Sequence, residues 1–100
     1  MPGSWWSILE RSARDRDILV FVTPLEAWGL FQKQEGVCAL SGVSIDFDKP
    51  ITASLDRIDS EKPYELVNLQ WVHKDVNLMK NKFSQDYFIE MCKRISESRT

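Results

Sequence analysis

Three short stretches of this chain decide how it folds: Asp56-Arg57-Ile58-Asp59, Asn68-Leu69-Gln70-Trp71-Val72 and Asn77-Leu78-Met79-Lys80. The first stretch follows the alternating run 51–55, which is typical of a strand. The second lies in an apolar run, 66–72, which predicts another strand. The third lies in residues 74–82, where apolar side chains recur at helical spacing. The predicted order is strand, loop, strand, helix.

Helices are predicted on both sides of this unit. Ser4 and Ser84 are the expected N-caps of the first and last helices. In between, Thr23-Pro24-Leu25-Glu26 begins a second helix, because Thr23 can cap, proline suits the first helical position and Glu26 can close a capping box. Gly36 is its predicted C-cap. The run Ile18–Val22 is either a short strand or a buried connector.

The fold class expected from this pattern is α+β: a hairpin-plus-helix core with N-terminal helices and a C-terminal helix. One domain, 1–100, would contain a helical part (1–36), the core unit (37–82) and the last helix (83–100). Helical and strand periodicity also predicts which apolar side chains are buried. These are Leu25, Trp28, Phe31, Val67, Leu69, Trp71, Val76, Leu78, Met79, Phe88, Ile89, Cys92 and Ile95.

Composition limits the function classes. No apolar run approaches the roughly 18–20 residues of a membrane span, and no signal peptide is recognisable. Two cysteines are too few for a disulfide framework, so we expect a reduced, cytosolic setting. The net charge of −2 is unlike most nucleic-acid-binding domains. However, the acids concentrate between Asp46 and Glu65 and the bases toward the C-terminus, which suits a cation beside a phosphate as well as ordinary solvated charge.

Asp56 and Asn77 have the chemistry of magnesium ligands, since hard cations prefer carboxylate and amide oxygens and retain several waters. Asn77 and Lys80 are three residues apart, so they are neighbours on a helix. His73 and Asn77 can share a face if that helix begins early. Each residue also has a plain structural interpretation, as a solvent-facing polar side chain.

The three stretches together resemble the HNH endonuclease family, also called ββα-metal or His-Me finger nucleases. The wider pattern Cys-Ala-Leu-Ser-Gly (38–42), Ala-Ser-Leu-Asp-Arg-Ile-Asp-Ser (53–60), Asn-Leu-Gln-Trp-Val (68–72) and Asn-Leu-Met-Lys (77–80) resembles a branch of small phage and bacterial HNH proteins. The resemblance covers residues 38–82 and, more loosely, the flanking helices. It implies a ββα-metal core, a DNA partner and a bacterial or phage-infected cytoplasm.

The resemblance also implies roles for individual residues. Asp56 and Asn77 would bind one Mg²⁺ or Mn²⁺ ion, which would polarise the phosphodiester. Asn68 would tie the intervening loop together. Lys80, and with it Lys82, would lie near phosphate, although both lysines could simply be solvated.

The chain departs from the family at Arg57, which stands where the general-base histidine is expected. A guanidinium does not deprotonate in a protein, so it cannot activate water, but it can bind phosphate or stabilise transition-state charge. Three explanations are open. Another residue acts as base, with His73 and Asp59 the candidates; or activity is weak and driven by the metal; or the domain binds without cutting. Asp59 can also serve as a turn cap.

A four-cysteine zinc knuckle found in many family members is not expected here. Cys38 occupies the first knuckle position, but the others fall on Ser41, His73 and Val76. Apolar packing by Leu40, Trp71 and Val76 is the expected replacement.

Two main functions follow from the sequence, beside a weaker third one, a plain structural domain inside a larger phage assembly. The first is a metal-dependent DNA endonuclease with weakened activity. The alternative is a catalytically inactive HNH-type module that binds DNA or a protein partner, for example as a phage-encoded inhibitor. Sequence preference and oligomeric state are left open.

Overall fold

The computed structural model describes all 100 residues. It contains four α-helices and one two-stranded antiparallel hairpin, so the predicted α+β class is confirmed. In chain order the elements are α1 (Gly3–Asp15), α2 (Pro24–Lys33), β1 (Ala53–Arg57), β2 (Leu69–His73), α3 (Lys74–Lys80) and α4 (Gln85–Ser98). A 3-10 turn at Leu66–Asn68 leads into β2. No helix has both the length and the apolarity needed to cross a bilayer.

The helix starts are partly as predicted. α2 has the capping box, with Thr23 Oγ1 accepting from the backbone N–H of Glu26 and the Glu26 carboxylate accepting from that of Thr23. Ser84 caps α4 by accepting from the N–H of Tyr87. The expectation that Ser4 caps α1 is wrong. Pro2, with an extended backbone, stands in the N-cap position, and Ser4 lies inside the first turn.

The first two helices end with a non-glycine residue at positive φ. After α2, the N–H of Glu35 donates to Gln32 and that of Gly36 to Phe31, which is the Schellman pattern. Glu35 (φ 57°) therefore takes the position that the sequence assigned to Gly36, and Gly36 (φ 65°) follows it. After α1 the same pattern places Asp17 at φ 55°. This second turn directs the chain toward Tyr64.

The hairpin has two distinct faces because successive strand residues alternate. Its register pairs Leu55 with Trp71 and Asp56 with Gln70. The Leu55–Trp71 face meets α1 and α2 through an aromatic cluster. The Asp56–Gln70 face meets α3, which packs against both strands. The hairpin is thus covered on both sides, and Asp56 is directed toward a helix rather than into the aromatic cluster.

Trp71 is the centre of the aromatic cluster. It is fully buried, and its indole N–H donates to the carbonyl of Ala27 in α2 over 2.8 Å. The rings of Trp5, Phe31 and Phe47 surround it at centroid distances of 5.1, 5.6 and 5.3 Å. Aromatic pairs in tilted and edge-on arrangements contribute beyond their buried area. This cluster fixes the two N-terminal helices to the hairpin.

Several burial predictions are wrong. Leu25, Val67, Leu78 and Met79 are largely exposed, and no residue of α4 is fully buried. Cys92, expected in the core, is exposed. The apolar stripe predicted on α4 is present in the sequence, but no helix or strand of this chain packs closely along it, and only Phe88 among the predicted stripe residues is half-buried. Periodicity identifies a face that could be buried, and tertiary contacts decide whether it is.

The segment Ile18–Val22 is a connector, not a strand of the sheet. It makes one isolated parallel bridge, between Val20 and Tyr64. The N–H of Phe21 donates to the Tyr64 carbonyl at 2.7 Å, and the N–H of Tyr64 donates to Leu19 at 3.0 Å. These bonds hold Tyr64 beside the end of α1.

Candidate functional site

Asp56, at the end of β1, is a buried carboxylate with three close donor contacts. Lys80 Nζ lies 3.2 Å from Oδ1 and 3.1 Å from Oδ2, and the Gln70 amide donates to Oδ2 over 2.9 Å. Burying a charge without a partner is costly, and the Lys80 ammonium supplies the opposite charge for this carboxylate. Each carboxylate oxygen can accept about two hydrogen bonds, so Oδ1 retains one free acceptor position.

Lys80 lies inside the protein, with no exposed side-chain surface. Its ammonium also donates to the carbonyl of Arg57 at 3.1 Å and approaches that of Ile58 at 3.5 Å. The sequence placed Lys80 near phosphate, whereas in the structure its charge is taken up by Asp56 and by the strand end. Lys80 therefore contacts Asp56 from the protein interior and does not itself line the cavity.

Asn77 faces β1 one turn before Lys80, as the three-residue spacing predicts. Its amide nitrogen donates to Ser54 Oγ over 2.6 Å. That is the only side-chain hydrogen bond of Asn77, so its oxygen remains available. Ser54 and Asp56 point to the same face of β1, and this alternation brings Asp56 and Asn77 to one place.

A polar cavity of about 130 Å³ opens where Asp56 and Asn77 meet. Side chains from three parts of the chain line it: the end of α1, the end of β1 with the loop after it, and α3. The lining residues are Arg16, Leu55, Asp56, Arg57, Ser60, Tyr64, Asn77 and Asn81. Asp56 is its only carboxylate, and Arg16 and Arg57 are its cations.

Arg57 is held by the loop that follows β1. Its Nη1 donates to the carbonyls of Ser60 and Lys62 at 2.7 and 2.9 Å, and its guanidinium carbon lies 5.3 Å from the ring centre of Tyr64. The remaining guanidinium nitrogens form no hydrogen bond within the chain. They are free to donate to an anion in the cavity.

Asn68 clasps the same loop. Its Oδ1 accepts from the N–H of Asp59 at 2.9 Å, while its Nδ2 donates to the carbonyls of Asp59 and Pro63 at 3.0 and 3.1 Å. Because Asn68 is buried, water cannot substitute for the hydrogen bonds that it makes to this loop. This is the geometry expected of the loop-tying residue that the sequence analysis assigned to Asn68.

The two candidate bases do not line the cavity. His73 stands opposite Ala53, three positions along the hairpin from the pair formed by Asp56 and Gln70. Its Nδ1 accepts from the N–H of Asp75, so His73 caps α3. Asp59 accepts from the N–H of Glu61, which makes it a turn cap. The structure does not bring either group to Asp56 and Asn77.

Lys82 is also separate from the cavity. It is exposed and lines a neighbouring open groove together with Asp59, Glu61 and Asp86. Its carbonyl accepts from Ser60 Oγ at 3.3 Å, which joins the loop after β1 to the end of α3. The three acids beside Lys82 make this groove an unfavourable place for phosphate.

Cys38 is a buried free cysteine that precedes the turn at residues 39–41. Burial of its thiol raises its pKa, but hydrogen bonds from the Ser41 hydroxyl and from the backbone N–H groups of His73, Ser41 and Leu40 outweigh that effect, so the pKa lies below 9.0. Leu40 and Val76 pack against the core nearby, as expected. No group of three or more His, Cys, Asp or Glu side chains comes together as a metal site.

Sequence reasoning missed four contributors to the site: Arg16, Ser54, Tyr64 and Gln70. Gln70 and Ser54 could have been found, since hairpin register places Gln70 opposite Asp56 and strand alternation places Ser54 on the same face. Arg16 and Tyr64 are 48 residues apart in sequence. Their contact depends on the turn after α1, and no local sequence pattern predicts this contact.

No family model matches the chain, and neither a curated protein nor a solved structure matches it.

Proposed function

We propose that the protein is a metal-dependent DNA endonuclease of the HNH type, with slow turnover. One observation carries this proposal: Asp56, at the end of a hairpin strand, and Asn77, on the helix that directly follows the hairpin, line the same polar cavity. The resemblance to HNH proteins predicts this convergence of a carboxylate and an amide. The strand–strand–helix order of β1, β2 and α3 agrees with a ββα-metal core.

The donors in the cavity fit a magnesium or manganese ion that is held together with substrate. One acceptor position on Asp56 Oδ1 and the free oxygen of Asn77 supply two oxygen ligands. Mg²⁺ is commonly bound by one or two carboxylates plus waters and phosphate oxygens. Lys80 reduces the charge of Asp56, so we expect weak metal binding in the absence of DNA. The ion would supply Lewis-acid polarisation of the phosphodiester.

The residues of the chain have separate tasks in this proposal. Lys80 and Gln70 hold the Asp56 carboxylate in position. Arg57 donates to a phosphate oxygen and stabilises negative charge as it develops. No side chain with the properties of a general base lies beside Asp56 and Asn77, and such a group typically contributes about 10²–10⁴-fold. The expected turnover is correspondingly low.

Plasmid nicking with Mn²⁺ tests the proposal. Wild type should nick, and both Asp56→Asn and Asn77→Ala should reduce nicking to background. Asp48→Asn is the matched control, because Asp48 is exposed and remote from the cavity residues. Circular dichroism should verify that each variant is folded, since Asp56→Asn leaves Lys80 without its partner. Equal nicking by wild type and both cavity variants would contradict the assignment.

A second candidate function is a non-cutting HNH-type module that binds DNA or a protein. The close pairing of Asp56 with Lys80 and the arginine at the base position favour it. Arg57→His discriminates between the two candidates. If wild type shows no nicking with Mg²⁺ or Mn²⁺ and Arg57→His does nick, the native protein is a non-cutting binding module with an HNH-type fold. If wild type nicks and Arg57→His changes the rate little, the protein is an endonuclease whose base lies elsewhere, and the role given to Arg57 is contradicted.

A further inference from the structure

The end of α1 contributes a guanidinium to the cavity. Arg16 is the C-cap residue of α1, one position after Asp15, and its Nη2 donates to the hydroxyl of Tyr64 over 3.2 Å. Its Nε donates to the carbonyl of Ser12 at 3.3 Å, which fixes the side chain near its own helix. Nη1 has no partner within the chain, so Arg16 retains donors for a further acceptor.

Backbone geometry holds this pair in place. The N–H of Ile18 donates to Ala13 at 2.8 Å and that of Asp17 to Arg14 at 3.0 Å, so the chain turns sharply after Arg16. The connector that follows then runs beside Tyr64 with a backbone hydrogen bond on each side of Val20. Because Tyr64 is buried, its hydroxyl cannot move far from this position.

The charge balance of the cavity favours an anion. Two guanidinium groups, Arg16 and Arg57, face one carboxylate, Asp56. That carboxylate is already paired with Lys80, whose ammonium lies 3.1 Å away. The cavity therefore presents an excess of positive charge together with neutral donors from Tyr64, Asn77 and Asn81.

The donors are also of the appropriate kind and arrangement for phosphate. The Tyr64 hydroxyl accepts from Arg16, so its own proton is available to a ligand. Planar guanidinium groups match phosphate oxygens in two-point contacts. The cavity volume of about 130 Å³ is several times the roughly 30 Å³ that one water occupies in the liquid. A phosphate group is therefore small enough to enter the cavity.

We infer that Arg16 and Tyr64, together with Arg57, form a phosphate-binding subsite that engages a backbone phosphate of DNA next to Asp56 and Asn77. The inference rests on the proposed function for the identity of the ligand, but the subsite itself needs no metal. The N-terminal helix is then part of the binding site, although it lies outside the segment that resembles HNH proteins. The shared chemistry is a phosphate group, which DNA or a free phosphate can supply.

Binding in EDTA tests the subsite apart from cleavage. A fluorescent duplex DNA is followed by anisotropy, and inorganic phosphate by chemical-shift changes of backbone and arginine Nε–H signals. Arg16→Gln should weaken binding of both ligands by about tenfold, as loss of a charged hydrogen-bonding group does. Tyr64→Phe should weaken binding several-fold without changing charge. Arg16→Lys should recover only part of the affinity, because it keeps charge and loses the planar fork.

Arg14→Gln is the matched control. Arg14 lies on the same helix and carries the same charge, but it lines a different groove with Glu10 and Asp17. The slope of log K against log salt should fall by about one for Arg16→Gln, as expected for one lost phosphate contact. A fall of the same size in affinity for Arg14→Gln would overturn the inference, since it would indicate diffuse attraction to the helix.

The two proposals fail in different ways. Arg16-dependent binding in EDTA together with no nicking by any variant would support the subsite and contradict the endonuclease. Nicking by wild type and Arg16→Gln with the same dependence on DNA concentration would overturn the subsite and leave the endonuclease intact. Arg16-dependent binding of inorganic phosphate without any binding of duplex DNA would support the subsite and assign it to free phosphate.

Discussion

The ammonium of Lys80 lies 3.1 Å from one carboxylate oxygen of Asp56 and 3.2 Å from the other, with the lysine side chain fully buried and the aspartate nearly so. This pair joins the last turn of α3 to the end of β1. It also determines the electrostatics of the cavity, because the Lys80 ammonium offsets the negative charge of the only carboxylate that lines it. The pair therefore links the stability of the hairpin–helix unit to the metal and phosphate binding proposed for this cavity.

Removing the cation of this pair should destabilise the protein strongly. Lys80→Met leaves the Asp56 carboxylate buried without its partner, and such changes cost about 3–5 kcal/mol. Urea denaturation measures the change in the free energy of unfolding. Lys82→Met is the control, since Lys82 is exposed and such substitutions alter stability by about 0.5 kcal/mol or less. The double variant Asp56→Asn/Lys80→Met should recover part of the loss; no recovery would contradict a charge-pair origin.

A second carboxylate in the cavity should tighten metal binding. Asn77→Asp places an anionic oxygen donor beside Asp56, and we expect the dissociation constant for Mn²⁺ to fall by about tenfold or more. Titration calorimetry or Mn²⁺ electron paramagnetic resonance measures it. Asn81→Asp adds the same charge to the cavity lining at a residue with no assigned ligand role. Equal tightening by both variants would argue against Asn77 as a ligand.

The loop clasp at Asn68 should contribute measurably to stability. Asn68→Ala leaves the N–H of Asp59 and the carbonyls of Asp59 and Pro63 without their partner, at a cost of about 1–3 kcal/mol. Hydrogen exchange of the Asp59 amide should accelerate along with the fall in the urea midpoint. Asn68→Asp keeps the acceptor for that amide and loses both donors. Exchange of Asp59 in Asn68→Asp as fast as in Asn68→Ala would count against the clasp.

The Cys38 thiol should make stability depend on pH. Since its pKa in the folded protein lies below 9.0, the folded state releases this proton before the unfolded state does. Between the folded pKa and 9.0 the unfolded state binds more protons, so the free energy of unfolding rises with pH in that window. The gain is fully present above 9.0 and is lost as the pH falls through the folded pKa.

Urea denaturation across that pH range, in a Cys92→Ser background, measures the effect. The background should show the rise and Cys38→Ala should not. Cys92→Ser removes the exposed thiol and leaves the buried one as the only cysteine. A parallel pH dependence with and without Cys38 would show that other groups cause it.

The sequence by itself determined the local elements. Thr23, Pro24 and Glu26 specify the start of α2, because a cap, a fixed φ and a reciprocal hydrogen bond all act within one turn. Three-residue spacing along α3 was likewise sufficient to place Asn77 and Lys80 on one helix face. These relations are short-range, so they can be read from spacing alone, whereas the convergence of Asp56 and Asn77 was expected only from the resemblance to HNH proteins.

Only the tertiary structure decided which polar groups are neutralised and which apolar faces are covered. Lys80 could have been a solvated lysine, and its burial follows from how α3 packs against β1. The apolar stripe of α4, which includes Cys92, is exposed although its residues have the same helical periodicity as a buried stripe. Periodicity shows that a helix has an apolar face, but it does not show which element packs against that face. Arg16 meets Tyr64 through a turn and a connector that bridge 48 residues. Long-range contacts of this kind depend on the whole packing arrangement, which no local pattern of residues encodes.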